Sequence, residues 1–517
     1  MTWYPKRIAL GWAFLFLYVA ALVPIAATRT LPLYDYPNHL ARAHVLKNWE
    51  SSTALQQYFQ ISWEAIPNLA WDLFFVPLSF LRVELAGRIF LSVIFLVLAA
   101  GTLLLHYSIH RRLSFYPLLA FLFLYNGTFL YGFVNYLFAV GAYLVAFAAW
   151  IFLSGRRVAT PLIVGSLIST ALFFFHLYGL GLYGITVVAY ELNRWLLARN
   201  SGRAPRASNW IATFGQFLLP FVIFVFLSPT SEAASQTSLS DLTNKWHYYQ
   251  KLMFVFDLLD NYHFGLDLAT AAILSALAMA GIALRRIVVA RCMWLPIGTL
   301  VVAYALMPST VFSSWNADHR FPIALALVGI AATDWRVRSK AWARTLATSV
   351  ALLFVARVSV IANAWHTYDR TYDEYRAALS SVACGGRVTG AIAYRGSARV
   401  MHRPPLNHVL AFVTLERDGF YPSFFGLAPN QPVMIRTPFD ALAARSKNIA
   451  YRNDQLESAS LLTERYPFAR EVLRDFDCIL IVREGWFGAP IPDFLKPVFT
   501  GSEFRLFRID LPEKTRR

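Results

Sequence analysis

The sequence predicts a polytopic α-helical membrane protein of about eleven transmembrane helices, followed by a C-terminal extracytoplasmic domain of α/β or α+β type. Three observations carry this. Hydrophobic residues make up 57% of the 517 residues and charged ones only 15%, more apolar surface than a soluble fold of that size needs. Several apolar runs are long enough to cross a bilayer, and the junctions between runs are strongly basic at every second position. A soluble composition sets in only after Trp365.

Lys6 and Arg7 precede the apolar run Ile8 to Ala27, which reads as a first span with a cytoplasmic N-terminus. Ala26-Ala27 also passes as a signal-peptide cleavage site, an alternative that leaves the later topology unchanged. The segment Leu69 to Leu81 is too short to span comfortably and contains Asp72 and Pro77, so it is expected to lie at the outer interface. Leu85 to Ile109 is the second span and puts Arg111 and Arg112 inside. The remaining spans are read at Phe115 to Phe129, Phe133 to Leu153, Pro161 to Phe175, Leu177 to Leu197, Trp210 to Leu227, Leu266 to Leu284, Met293 to Met307, Phe321 to Ala332 and Thr345 to Ala362.

The net charge of +17 would suit a nucleic-acid binder if it formed one basic surface, but it follows the topology instead. Up to Tyr368 there are 26 Lys/Arg against 13 Asp/Glu, whereas the remainder is nearly balanced at 21 against 17. Seventeen of those 26 sit at the N-terminus, at Arg111-Arg112, at Arg156-Arg157, at Arg194, Arg199, Arg203 and Arg206, at Arg285, Arg286 and Arg291, and at Arg336, Arg338, Lys340 and Arg344. These are alternate junctions, so the N-terminus is expected in the cytoplasm and the C-terminal domain outside, with no nucleic-acid partner. The expected division is 1–363 for the transmembrane domain, with outer loops 28–84 and 228–265, and 364–517 for the soluble domain.

In the C-terminal region Tyr372 to Val382 reads as helix, and Arg387 to Tyr394, Phe476 to Val482 and Phe504 to Ile509 read as strands. Three cysteines, Cys292, Cys384 and Cys478, write no disulfide framework and no Cys-type zinc site; Cys384 and Cys478 are either a pair or two thiols.

Three groups could carry chemistry. The first outer loop contains Asp35 just before Pro37, which suits the first turn of a helix placing His39 and Arg42 on one face. A carboxylate that merely favours a helix start is the bland account of Asp35. The loop 228–265 carries Lys245, His247 and Lys251 in an aromatic stretch, which is either an interfacial anchor or a set of cations for a lipid phosphate. Asp318-His319-Arg320 precedes the tenth span and is either an internal ion pair or an anion site. Asn135 and His176 also lie toward outer helix ends, and a lone His there is more often a satisfied structural group. No HExxH, GxSxG, phosphate loop or dinucleotide turn occurs in a fitting context.

In these features the sequence resembles the GT-C superfamily of membrane glycosyltransferases: an acid, Asp35, in a long first outer loop just after the first helix, a helix starting in that loop, many spans, and a C-terminal outer domain. Members often show two acids close together there; Asp35 has no adjacent acid, and Asp72 is the candidate for the second. The resemblance implies a multi-pass protein of a bacterial-type inner (cytoplasmic) membrane. It also implies inverting transfer of a sugar from a polyprenyl-phosphate carrier, at the outer face, to a lipid, glycan or protein acceptor. Asp35 would then be the general base, and Lys245, Lys251 and Arg320 would neutralise the carrier phosphate. His39, Arg42, His247, Asp318 and His319 would orient substrates. Some members use a divalent metal, but the carboxylate spacing here assigns none. Two other classes stay open: a lipid or glycan flippase or transporter, which would carry polar residues inward through the spans, and a non-catalytic envelope assembly protein.

Overall fold

The computed structural model describes residues 7–201, 208–231, 245–311, 314–335, 340–392, 405–427, 430–450, 471–482 and 491–511. The chain divides into two compact units: Met1–Ala27, Glu64–Trp71 and Arg88–Ala364 form the first, and Thr28–Trp63, Asp72–Gly87 and Trp365–Arg517 the second.

The first unit is mainly helical, with one short antiparallel ladder between Ile287–Val289 and Thr333–Trp335. Among the described residues six helices are long and apolar enough to cross a membrane: Arg7–Ala27, Val83–His110, Val134–Leu153, Asn209–Leu227, Phe264–Ala283 and Ala341–Leu379. The protein is therefore a multi-pass membrane protein. The other expected spans also coincide with helical stretches, but most of these are shorter. Trp294–Leu306 has 13 residues and Ala317–Ala332 has 16. At 1.5 Å per residue these are about 20 and 24 Å long, short of a hydrocarbon core of about 30 Å. Tyr116–Phe123 is a 3-10 helix rather than an α-helix, and Leu177–Asn200 is long enough but ends in Glu191, Asn193, Arg194 and Arg199. Leu69 to Leu81 forms only a six-residue helix, Ala70–Phe75, and a 3-10 turn, far too short to span.

Lipid-facing and packed surfaces are both legible in this unit. Ile8, Trp12, Leu15, Phe16, Val19 and Val23 are exposed and recur at helical spacing, an apolar stripe that only a bilayer would cover. Gly101 and Gly141 allow the helices Val83–His110 and Val134–Leu153 to approach closely: a Cβ on Gly141 would lie 2.4 Å from Val97 Cγ2, and one on Gly101 3.0 Å from the Gly141 carbonyl. The segment 64–71 is tied down by Asn135, whose Oδ1 accepts from Trp71 N at 2.8 Å and whose Nδ2 donates to Asn68 O at 2.7 Å. Polar residues within the helices meet one another, as where Arg357 Nη1 donates to Asp267 Oδ1 at 2.9 Å and Nη2 to Leu259 O at 2.8 Å.

The second unit holds a four-stranded sheet in the order Val388–Ile392, Cys478–Val482, Phe504–Ile509, Leu495–Thr500. The first pair is parallel and the other two antiparallel. The central strand CILIV is buried at every position, whereas FRLFRI buries Phe504, Leu506 and Phe507 and exposes both arginines. Ala391, Leu473, Ile479, Ile481, Leu495 and Phe507 form the core on one side. Cys384 and Cys478 are separate free thiols, the first exposed and the second buried.

This unit takes in most of the loop 28–84 that the sequence reading leaves with the transmembrane domain. The reason is specific pairing: Phe59–Ile61 is an antiparallel strand partner of Val433–Ile435, and helix Tyr36–Asn48 packs against helix Ala411–Arg417. Tyr58 adds an aromatic cluster with Phe420 and Phe439 at centroid distances of 5.4 and 4.8 Å.

Candidate functional site

Two polar groups, one in each unit, contain the described residues that the sequence singles out. In the second unit, Asp35 opens helix Tyr36–Asn48 and Pro37 occupies its first turn, as the sequence suggests. The Asp35 side chain makes no capping hydrogen bond. Its backbone carbonyl instead accepts from Asn38 N at 3.1 Å and His39 N at 3.4 Å. The helix thus starts without a hydrogen bond from this carboxylate. It is 8% exposed, and its Oδ1 lies 3.4 Å from His408 Nε2, at the end of the 3-10 turn Pro405–His408. The His408 ring meets Tyr34 and Phe425 edge-on, with centroids 5.0 and 5.2 Å away, and Asn407 Nδ2 donates to Tyr34 Oη. His39 is buried one helical turn from Asp35, its ring edge-on to the same Phe425.

Arg42 and Asp72 form a closed pair. Arg42 Nε lies 2.8 Å from Asp72 Oδ1, the two side chains are 2% and 0% exposed, and Arg42 Nη1 donates to Gln431 Oε1. Burial pushes the Asp72 carboxyl up to about 6, outweighing the pull of the neighbouring guanidinium. The candidate second acid is thus engaged with the arginine. A further cluster fixes the far end of the same helix: His44 Nε2 is 2.7 Å from Asp418 Oδ1, and Ser52 Oγ donates to Asp418 Oδ2 at 2.8 Å. These bonds hold the Asp418 carboxyl below its ordinary range, while Asp418 itself sits in left-handed backbone at φ +52°.

In the first unit, Asp318-His319-Arg320 forms the first turn of helix Ala317–Ala332, and each residue meets a different partner. Lys251 Nζ lies 3.4 Å from Asp318 Oδ2 and donates to the carbonyls of Met307 at 2.6 Å and Tyr304 at 3.1 Å. Burial pushes the Lys251 ammonium down, with Asp318 acting the other way. His319 is 1% exposed, its Nε2 is 3.4 Å from Asp257 Oδ2, and its ring meets Phe254 edge-on. The Arg320 guanidinium lies 4.0 Å above the Phe133 ring and its Nη2 donates to Trp315 O at 3.0 Å. Lys245 and His247 belong to helix Lys245–Phe256, but the readings that concern their side chains lie outside the described residues. His176 caps helix Leu177–Asn200 by accepting from Tyr178 N, a structural use.

Sequence reasoning missed His408, Gln431, Phe425, Phe133 and Tyr304. Each is far in sequence from the residue it touches, and no local pattern marks it. Among the described residues no three His, Cys, Asp or Glu side chains are grouped so as to hold a metal ion.

No protein-family model and no curated protein matches the sequence. A solved structure does match the fold: ArnT from Cupriavidus metallidurans, crystallised with undecaprenyl phosphate bound, superposes with a TM-score of 0.51 at 13% identity, over 97% of this chain and 98% of that one. The fold is ArnT-like over 97% of the chain.

Proposed function

We propose that this chain is a membrane glycosyltransferase that moves a sugar from a polyprenyl-phosphate carrier to an acceptor hydroxyl on a lipid, glycan or protein at the outer face of the membrane. The observation that carries the reading is the full-length likeness to a fold solved with undecaprenyl phosphate bound. The position of Asp35 supports it, because this carboxylate follows the first span, begins a helix, and is not spent as a cap.

In the proposed reaction Asp35 takes the proton of the acceptor hydroxyl as that oxygen bonds to the anomeric carbon. The bond from that carbon to the phosphate oxygen breaks with inversion, and its electron pair leaves on the carrier phosphate. The basic groups Lys245, Lys251 and Arg320 favour this departure by balancing the phosphate charge. Lys251 reaches a phosphate only by exchanging Asp318 for it, since its ammonium is already held by that carboxylate and two carbonyls. Arg320 presents a flat guanidinium braced on Phe133, the geometry that grips phosphate with two parallel bonds. His39, Arg42, His247, Asp318 and His319 orient substrates or the groups that hold them. Arg42 acts through its buried pair with Asp72.

Mass spectrometry of lipid-linked and surface glycans from a deletion strain tests the reading. The strain should accumulate one polyprenyl-phosphate-linked sugar and lack the corresponding residue on one acceptor. Unaltered glycans, together with no consumption of polyprenyl-linked sugars by the purified protein, would refute it.

A further inference from the structure

The second unit surrounds Asp35 with a group that the sequence does not single out. His408 stands 3.4 Å from the carboxylate, on a 3-10 turn more than 370 residues further along the chain. Its imidazole is held between two ring edges, those of Tyr34 and Phe425, so its plane is fixed rather than free to turn. Tyr34 is itself tied to Asn407, the neighbour of His408, which locks the loop and the turn together. At this distance each charge favours the other, and that mutual attraction is what must outweigh the cost of burying them. Titratable groups beside the pair include Tyr34 and, across Phe425, His39.

We propose that His408 is the positioning residue for Asp35: as an imidazolium it holds the carboxylate ionised and in one orientation. This rests on the reading of Asp35 as the general base, and it gives that base a partner. A general base works only when ionised, and a buried acid loses ionisation unless a cation sits beside it. The helix N-terminus supplies part of that field and His408 the larger, more local part. After each transfer the proton on Asp35 leaves to water, and the pair returns to its charged form.

The test has one arm that needs no substrate. Full-length protein carrying ¹³Cε1-histidine is placed in nanodiscs and titrated by NMR, the His408 signal among the 11 histidines being identified by its loss in His408→Gln. In Asp35→Asn the His408 imidazole should titrate at least about one pH unit lower than in the wild type, because its counter-charge is gone. An unchanged titration overturns the proposal, whatever the enzyme does. The second arm follows release of undecaprenyl phosphate from undecaprenyl-phosphate-linked hexoses and pentoses across pH. His408→Gln should move the acidic limb of the profile up by about one pH unit, since Asp35 without its cation protonates more readily, whereas His408→Lys should keep the limb near its wild-type position. A purely structural His408 would lower the rate in both variants and leave the limb where it was, which would also overturn the proposal. A shifted titration with no carrier turned over by the wild type would support the pair and count against the transferase reading.

Discussion

Removing one partner of the Arg42–Asp72 pair should be among the most damaging single changes in the second unit. The charges are 2.8 Å apart and essentially inaccessible to water, so their attraction is about 6 kcal/mol at an effective dielectric of about 20. Desolvation offsets much of that, but deleting one charge leaves the other buried and unbalanced, which costs about 3–5 kcal/mol. Asp72→Ala should therefore lower the unfolding midpoint of the detergent-purified protein by on the order of 10 °C, followed by tryptophan fluorescence. The double change Arg42→Met with Asp72→Leu should recover most of that loss, because an apolar pair of similar volume has no charge to bury. The pH dependence has a definite sign. Folding raises the Asp72 value from 3.8 to about 6, so the stability linked to it is fullest below 3.8 and falls as pH rises through 6. Arg42→Met removes the only pull in the other direction that Asp72 has from a neighbouring side chain, so its deficit should be larger at pH 8 than at pH 5. A loss under 1 kcal/mol in Asp72→Ala, or a double variant no better than the single, would refute the reasoning.

Alkaline phosphatase fused after residue 517 should be active and fused after Arg157 inactive, since basic junctions stay in the cytoplasm; the reverse pattern would refute the topology read from those junctions. Arg320→Lys keeps the charge but loses both the stack on Phe133 and the planar fork, so undecaprenyl phosphate binding measured by native mass spectrometry should weaken about tenfold. Wild-type affinity in that variant would assign Arg320 a simple electrostatic role.

Much of the fold was legible because the bilayer imposes long apolar runs and periodic burial. The run Leu85 to Ile109 became helix Val83–His110, and the FDCILIV and FRLFRI segments became adjacent strands. The number of spans was less legible: a run such as Met293 to Met307 specifies a helix without fixing whether it is long enough to cross. The strand Leu495–Thr500 was missed because its central Pro497 sits at a bulge and its outer residues are exposed, so no alternation shows. The helix start after Asp35 was legible from Pro37, and the cluster of acid, imidazole and guanidinium at 318–320 from their adjacency. Their partners were not, because contacts such as Asp35–His408 and Arg42–Asp72 join segments that no local pattern relates.

The most direct test of the central claim is turnover by purified Asp35→Asn with a polyprenyl-phosphate-linked sugar that the wild type consumes. Asparagine keeps the size and can accept a hydrogen bond, but it cannot take up the acceptor's proton. The account predicts transfer slowed by about 10²–10⁴-fold, with membrane insertion, abundance and His408-side packing close to wild type. Normal turnover in Asp35→Asn would contradict it.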